Sequence, residues 1–303
     1  MPSRESDALR AQFQEMSDIL AANPQMDLGT LRNLFETLHL RAAEPAGVTY
    51  EEVDAGGVAA LWCRPEGAVT DGALLYTHGG GFACNSMHSH RKLAGHLARA
   101  AGMPALVIDY RLAPEHPFPA QLADAVTAYR WLLDQGVPAG RIATAGDSAG
   151  GNLATAVVLK LREEGVALPG AIVGLSPWYD MEHKGKTLES NAATDALVQL
   201  PILQGMSAMF LGEQGSPTDP LANPLHADVT GLPPIYLTAG GHETLLDDTE
   251  RFADKARAAG VVVTVRIEPG QQHVYPFMAG RAPEADAAIA DIGAWLRVAL
   301  EAG

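Results

Sequence analysis

Apolar residues along the 303-residue chain follow two alternating rhythms. Short, nearly continuous apolar and β-branched runs occur at 48–53, 58–63, 73–78, 105–110, 141–146, 171–176, 234–239 and 261–267. Runs of this length without polar alternation predict strands covered on both faces. Between them, apolar residues recur at helical spacing over 91–101, 121–134, 150–163, 247–259 and 284–300. Strand–helix alternation of this kind predicts the α/β class, a mostly parallel sheet flanked by helices. The earliest strands are joined too closely for crossovers, so that edge is expected to be antiparallel.

Two stretches break the rhythm. Residues 1–45 carry helical patterns at 6–21 and 28–39 before any strand, and 181–226 surround a helix near 201–211 with Asp, Asn and Pro punctuation. Their placement beside the site residues predicts a two-part cap (1–45 and 181–226) over a core formed by 46–180 and 227–303. No run is long and apolar enough to predict a spanning helix, and the first sixteen residues mix Arg4, Glu5, Asp7, Arg10 and Glu15. A net charge of −15 disfavours nucleic acid and anionic membrane surfaces as partners. Cys63 and Cys84 show no disulfide-framework spacing, and a cytoplasmic location is expected.

The sharpest chemical signal is Gly146-Asp147-Ser148-Ala149-Gly150, a G-x-S-x-G segment with a predicted strand before it and an Ala-, Val- and Leu-rich helix after it. A serine on a tight strand-to-helix turn is exposed at a helix N-terminus, where amides favour developing negative charge. Asp147 is expected to brace the turn. No Gly-Lys-Ser/Thr and no G-x-G-x-x-G pattern competes for a phosphate or dinucleotide. Directly after the strand at 73–77 stands His78-Gly79-Gly80-Gly81-Phe82. Glycines there let amides face an oxyanion, and Gly79, Gly80 and Ala149 are the expected donors. His78 is expected to anchor the loop.

Together with the segment 110–120 and Gly151-Asn152, these motifs resemble the hormone-sensitive-lipase-like family of bacterial (family IV) esterases, from about residue 45 to the end of the chain. The resemblance implies an eight-stranded α/β-hydrolase core, a helical cap, and carboxylesterase activity on short acyl chains. It also suggests that Tyr110, Arg111, Glu115 and His116 fix loop structure behind the glycine loop. Many relatives dimerise through the last strands. An exposed, apolar 261–267 edge invites the same homodimer here.

The serine needs a base of near-neutral pKa. In this fold the order is serine, acid, histidine, and past residue 226 only His242 and His273 remain. His273, a short loop beyond the 261–267 strand, is the expected base. The acid is Glu243, where many relatives carry Asp, with Asp247 as its rival in a first helical turn. Phe82, Asn85, Met87, Trp178, Met206, Met209 and Phe210 are candidate pocket walls, each with core packing as its alternative. Cys84 is expected to be inert packing. No H-E-x-x-H or C-x-x-C pattern appears, so neither metal nor cofactor is implied. The chemistry predicted is hydrolysis of a small ester through an acyl-enzyme. A lactonase, amidase or thioesterase shares this machinery, and a hormone-receptor relative would lack the base that His273 supplies.

Overall fold

The computed structural model describes residues 2–301. Eight strands, β1 (Val48–Asp54), β2 (Ala59–Pro65), β3 (Ala73–Thr77), β4 (Ala105–Ile108), β5 (Ile142–Asp147), β6 (Ala171–Leu175), β7 (Ile235–Gly240) and β8 (Val263–Glu268), form one sheet. Its order is β1-β2-β4-β3-β5-β6-β7-β8. β2 runs antiparallel to both β1 and β4, and all other pairs are parallel. Every residue of β3 to β7 is buried, as continuous apolar strands between two helical layers must be. β8, at the edge, is half-buried along its whole length.

The helices are α1 (Asp7–Ala22), α2 (Leu28–Glu36), α3 (Met87–Ala101), α4 (Ala120–Asp134), α5 (Ala149–Glu163), the single turn α6 (Thr187–Ser190), α7 (Leu200–Leu211), α8 (Leu246–Ala258) and α9 (Pro283–Glu301). α3 packs on α9, and α4 packs on α5. Two helix boundaries differ from the periodicity by more than one residue. α3 begins four residues before 91, because Ser86 and Ser89 form a capping box that satisfies the first amides. The helix predicted over 28–39 ends at Glu36 and tightens into a 3₁₀ turn over Thr37–Leu40.

The two segments outside the alternation meet each other. Ser17 Oγ on α1 donates to the Ala196 carbonyl. From α2, Arg32 donates to the carbonyls of Ala83 and Ala113 and forms a bidentate pair with Glu115. Thus α2 is tied to the loop after β3 and to the segment after β4.

A buried ionic cluster fixes the loop after β6. Asp248 Oδ2 accepts the amides of Tyr179 and Asp180, both at 2.8 Å. Arg251 pairs with Asp180 and Asp247 at 2.6 Å and with Asp248 at 3.3 Å. Burial pushes the Asp248 carboxyl up to about 7, against the pull of those hydrogen bonds and of Arg251. Removing one partner of such a cluster leaves uncompensated buried charge. Arg251→Ala is therefore expected to cost about 3 kcal/mol, read as a lower urea midpoint. A wild-type midpoint would mean that the carboxylates are already neutral in the folded protein.

Candidate active site

Ser148 occupies the turn between β5 and α5 with φ 53° and ψ −121°, a strained conformation for a residue with a side chain. The turn is possible because both flanking positions are bare. A Cβ on Gly146 would collide with the Gly150 carbonyl, and one on Gly150 with the Thr77 carbonyl of neighbouring β3. The Ser148 amide donates to Leu175 of β6, at 2.9 Å, which holds the turn to the sheet from the other side.

Behind the turn lies a buried polar network. Asp147 accepts from Tyr76 Oη at 2.6 Å and from the Gly79 amide at 3.2 Å, while His90 Nε2 stands 3.2 Å from its second oxygen. Burial opposes its charge, but His90 and Tyr76 hold the carboxyl below its ordinary range. His78 Nδ1 donates to the Gly79 carbonyl, and its ring stacks on Tyr110 at 4.1 Å. Burial drives the His78 pKa to about 3, so it stays neutral near neutrality. Tyr110 Oη donates to the His78 carbonyl, and Arg111 chelates Asp124. Gln121 Nε2 donates to the His116 carbonyl. Cys63 and Cys84 are free and buried, and burial pushes both thiols up to about 12.

The network corrects one expected donor. The Gly79 amide is consumed by Asp147, and a Cβ there would strike the same carboxylate, so Gly79 faces backward. Gly80 and Gly81 line the cavity with Ser148. No amide of Gly80, Gly81 or Ala149 donates to another group among the described residues. These three amides therefore remain available beside the serine.

His273 lies on the loop after β8 and shares that cavity with Ser148. Its Nδ1 is 3.0 Å from Glu243 Oε2. Burial raises the Glu243 pKa, with His273 pulling it back, and the Ser176 hydroxyl nearby also favours its charge. Burial would lower the His273 pKa. Glu243, with smaller contributions from Asp195 and Asp147, lifts it above 6.5 instead. Asp247 is directed elsewhere, to Arg251 and Lys186. It is Glu243, not Asp247, that the fold brings to His273.

The cavity is partly open to solvent and has a volume of about 50 Å³. Of the expected walls, Asn85, Trp178 and Met206 line it, whereas Phe82, Met87, Met209 and Phe210 do not. Phe82 and Phe210 stack on each other at 3.7 Å, filling the space between the glycine loop and α7. Met209 falls off the buried face of α7 set by Leu203, Met206 and Phe210. Met87 is the first residue of α3, its amide capped by Asp109. Walls that sequence reasoning missed come from both outer segments, with Phe13, Phe35, Leu38, Leu197, Val198, Ile202 and Leu203, and from the histidine loop, with Val274 and Phe277. Their apolar character gave no signal distinct from ordinary core.

Asp195 was also missed. Buried, it accepts the amides of Leu197 and Val198 on one oxygen, and the amide and hydroxyl of Thr244 on the other, at 2.8–3.1 Å. It joins a cavity wall to the residue after Glu243. Beside it, Gln272 accepts the Ala196 amide and donates to the Thr194 carbonyl, and Asn191 donates to the Glu243 carbonyl. Asp195→Ala strands several buried donors and is expected to cost about 3 kcal/mol. Amide exchange should quicken at Val198 and Thr244 together; unchanged protection at both would show that Asp195 is not the tie.

Comparison with known proteins places this architecture. Residues 74–277 match a family model described as the alpha/beta hydrolase fold. An acetyl-hydrolase of Streptomyces hygroscopicus is 40% identical over 301 residues, covering 93% of this chain and 99% of that protein. An esterase of Acinetobacter venetianus is 34% identical, covering 84% of this chain and 81% of its own. A crystal structure of an esterase from the bacterial hormone-sensitive lipase family superposes with a TM-score of 0.94 at 42% identity, over 99% of both chains. With its serine elbow, glycine loop and eight-stranded sheet, the chain belongs to the hormone-sensitive-lipase-like family of α/β hydrolases and is a carboxylic ester hydrolase.

Proposed function

We propose that the protein hydrolyses small, short-acyl esters through Ser148, His273 and Glu243, by way of an acyl-enzyme. The observation that carries this is the shared cavity: Ser148 at its strained turn, His273 with Glu243 behind it, and the free amides of Gly80 and Gly81 all border one space. Ser148 Oγ attacks the ester carbonyl while His273 takes its proton. The Gly80, Gly81 and Ala149 amides hold the resulting oxyanion. His273 then protonates the departing alcohol, and a water activated by the same imidazole releases the acid. Glu243 keeps the Nδ1 proton in place and stabilises the imidazolium. The small apolar cavity supports short acyl chains, as does the name acetyl-hydrolase carried by one relative.

Hydrolysis of p-nitrophenyl esters from acetate to palmitate tests this. Activity should centre on the short chains and vanish in Ser148→Ala and His273→Ala; survival in Ser148→Ala overturns the mechanism. The base must be neutral to accept a proton, and Glu243 raises its pKa. Activity is therefore lost as pH falls, with the acid limb of kcat/KM centred above 6.5. Glu243→Gln removes the largest raising influence, so the limb should move to lower pH while kcat falls roughly 10³–10⁴-fold. Asp247→Asn should leave both unchanged.

We further propose a cytoplasmic homodimer paired through β8. Support comes from the two unpaired cysteines and from the position of β8 at the sheet edge, with Val262 beside it 67% exposed. Size-exclusion chromatography with light scattering should give twice the chain mass at micromolar concentration; a clean monomer overturns the pairing.

A further inference from the structure

Asn85 is the one carboxamide on an otherwise largely apolar cavity wall. It is only 4% exposed and is held at φ 71°, a left-handed conformation that Asn tolerates better than most residues. Its Oδ1 has no hydrogen-bond partner. Among the described residues, the other buried side-chain polar atom left unpaired on this wall is the Trp178 Nε1. A buried carboxamide without partners is unfavourable unless something completes it. The group also sits at a chemically pointed place, because a Cβ on Gly80 would lie 2.9 Å from Asn85 Nδ2. The carboxamide therefore borders Gly80, one of the glycines assigned to the oxyanion in the proposed mechanism.

We propose that Asn85 is a substrate-binding residue and that the site takes esters bearing a hydroxyl on carbon 2 or 3 of the acyl chain. This rests on the ester-hydrolysis mechanism above. A carboxamide both donates and accepts. An ester group offers only acceptors, whereas a hydroxyl matches both ends. His273 serves the departing alcohol, so a contact made from the glycine loop is assigned to the acyl half. Proximity to Gly80 restricts the matching hydroxyl to the carbons nearest the carbonyl. A site built to hydrogen-bond a hydroxyl discriminates strongly against the analogue that lacks it, because its own buried groups are then left unpaired.

The test uses two isosteric pairs assayed by titration of released acid. One is ethyl 3-hydroxybutanoate against ethyl 3-methylbutanoate, and the other ethyl 2-hydroxypropanoate against ethyl 2-methylpropanoate. Each pair is run with wild type and with Asn85→Gly, which keeps the left-handed backbone accessible. Comparing the same pair in both proteins cancels intrinsic ester reactivity. In at least one pair, the hydroxy-to-methyl ratio of kcat/KM should fall about tenfold or more in Asn85→Gly. An unchanged ratio in both pairs overturns the proposal and means that Asn85 serves only the backbone turn. An equal fall on both esters also overturns it, and makes Asn85 a support of the oxyanion loop. Wild-type turnover of the methyl esters reports ester hydrolysis separately; a wild type inactive on all four overturns both.

Discussion

One buried carboxylate ties the site together. Asp147 precedes the strained serine on β5, yet its oxygens reach the phenol of Tyr76 on β3, the Gly79 amide beyond β3 and the imidazole of His90 on α3. β3 and β5 are adjacent and parallel, so the serine turn and the glycine loop leave the sheet at the same end. The collision that forbids a Cβ on Gly150, with the Thr77 carbonyl, comes from that adjacency, whereas a Cβ on Gly146 meets the turn's own Gly150 carbonyl first. With Gly79 turned back onto Asp147, the next two glycines are the ones that line the cavity. The orientation of Gly79 is thus a consequence of where a single side chain is anchored.

The opposite side of the cavity is assembled from the two segments that interrupt the strand–helix alternation. They do more than roof the site. Arg32 carries α2 to the carbonyl of Ala83, just beyond the glycine loop. Asp195, Asn191, Thr194 and Gln272 stitch residues 191–196 to the loops bearing Glu243 and His273. Walls and site loops therefore share hydrogen bonds, and a displacement of the wall at Leu197 and Val198 would be felt at Thr244, next to Glu243.

Much of this was legible in the sequence, for identifiable reasons. The strands and major helices announced themselves through periodicity, and the serine turn through a motif whose glycines are demanded by backbone collisions. His273 followed from chain order. The failures share a cause: they depend on which way a group faces. Three successive glycines look equivalent until Asp147 engages the first. Phe82 and Phe210 look like pocket walls until they stack on each other and leave Met206 to line the space. Phe13 and Phe35 sit far from Ser148 in sequence and carry no mark beyond helical amphipathicity. Asp195 and Asn191, within a loop-rich stretch, resemble turn residues, and only the tertiary structure gives them partners.

The pair formed by Glu243 and His273 explains why so many contacts converge on two loops. Both side chains are buried, and burial alone would neutralise each of them, raising the carboxyl and lowering the imidazole. Their mutual interaction reverses that tendency for His273, but a buried ion pair contributes little net stability because desolvation offsets its attraction. The position of Glu243 is also held by hydrogen bonds around it. The Thr244 amide on Asp195, the Glu243 carbonyl on Asn191, and the Val274 amide on Ser176 Oγ supply that support. Val274 and Ser176 both hold left-handed backbone angles, which a chain adopts only where its surroundings over-determine it. Strain at the histidine loop is sustained by these hydrogen bonds, and strain at the serine turn by the Ser148 amide on the Leu175 carbonyl, one residue before Ser176.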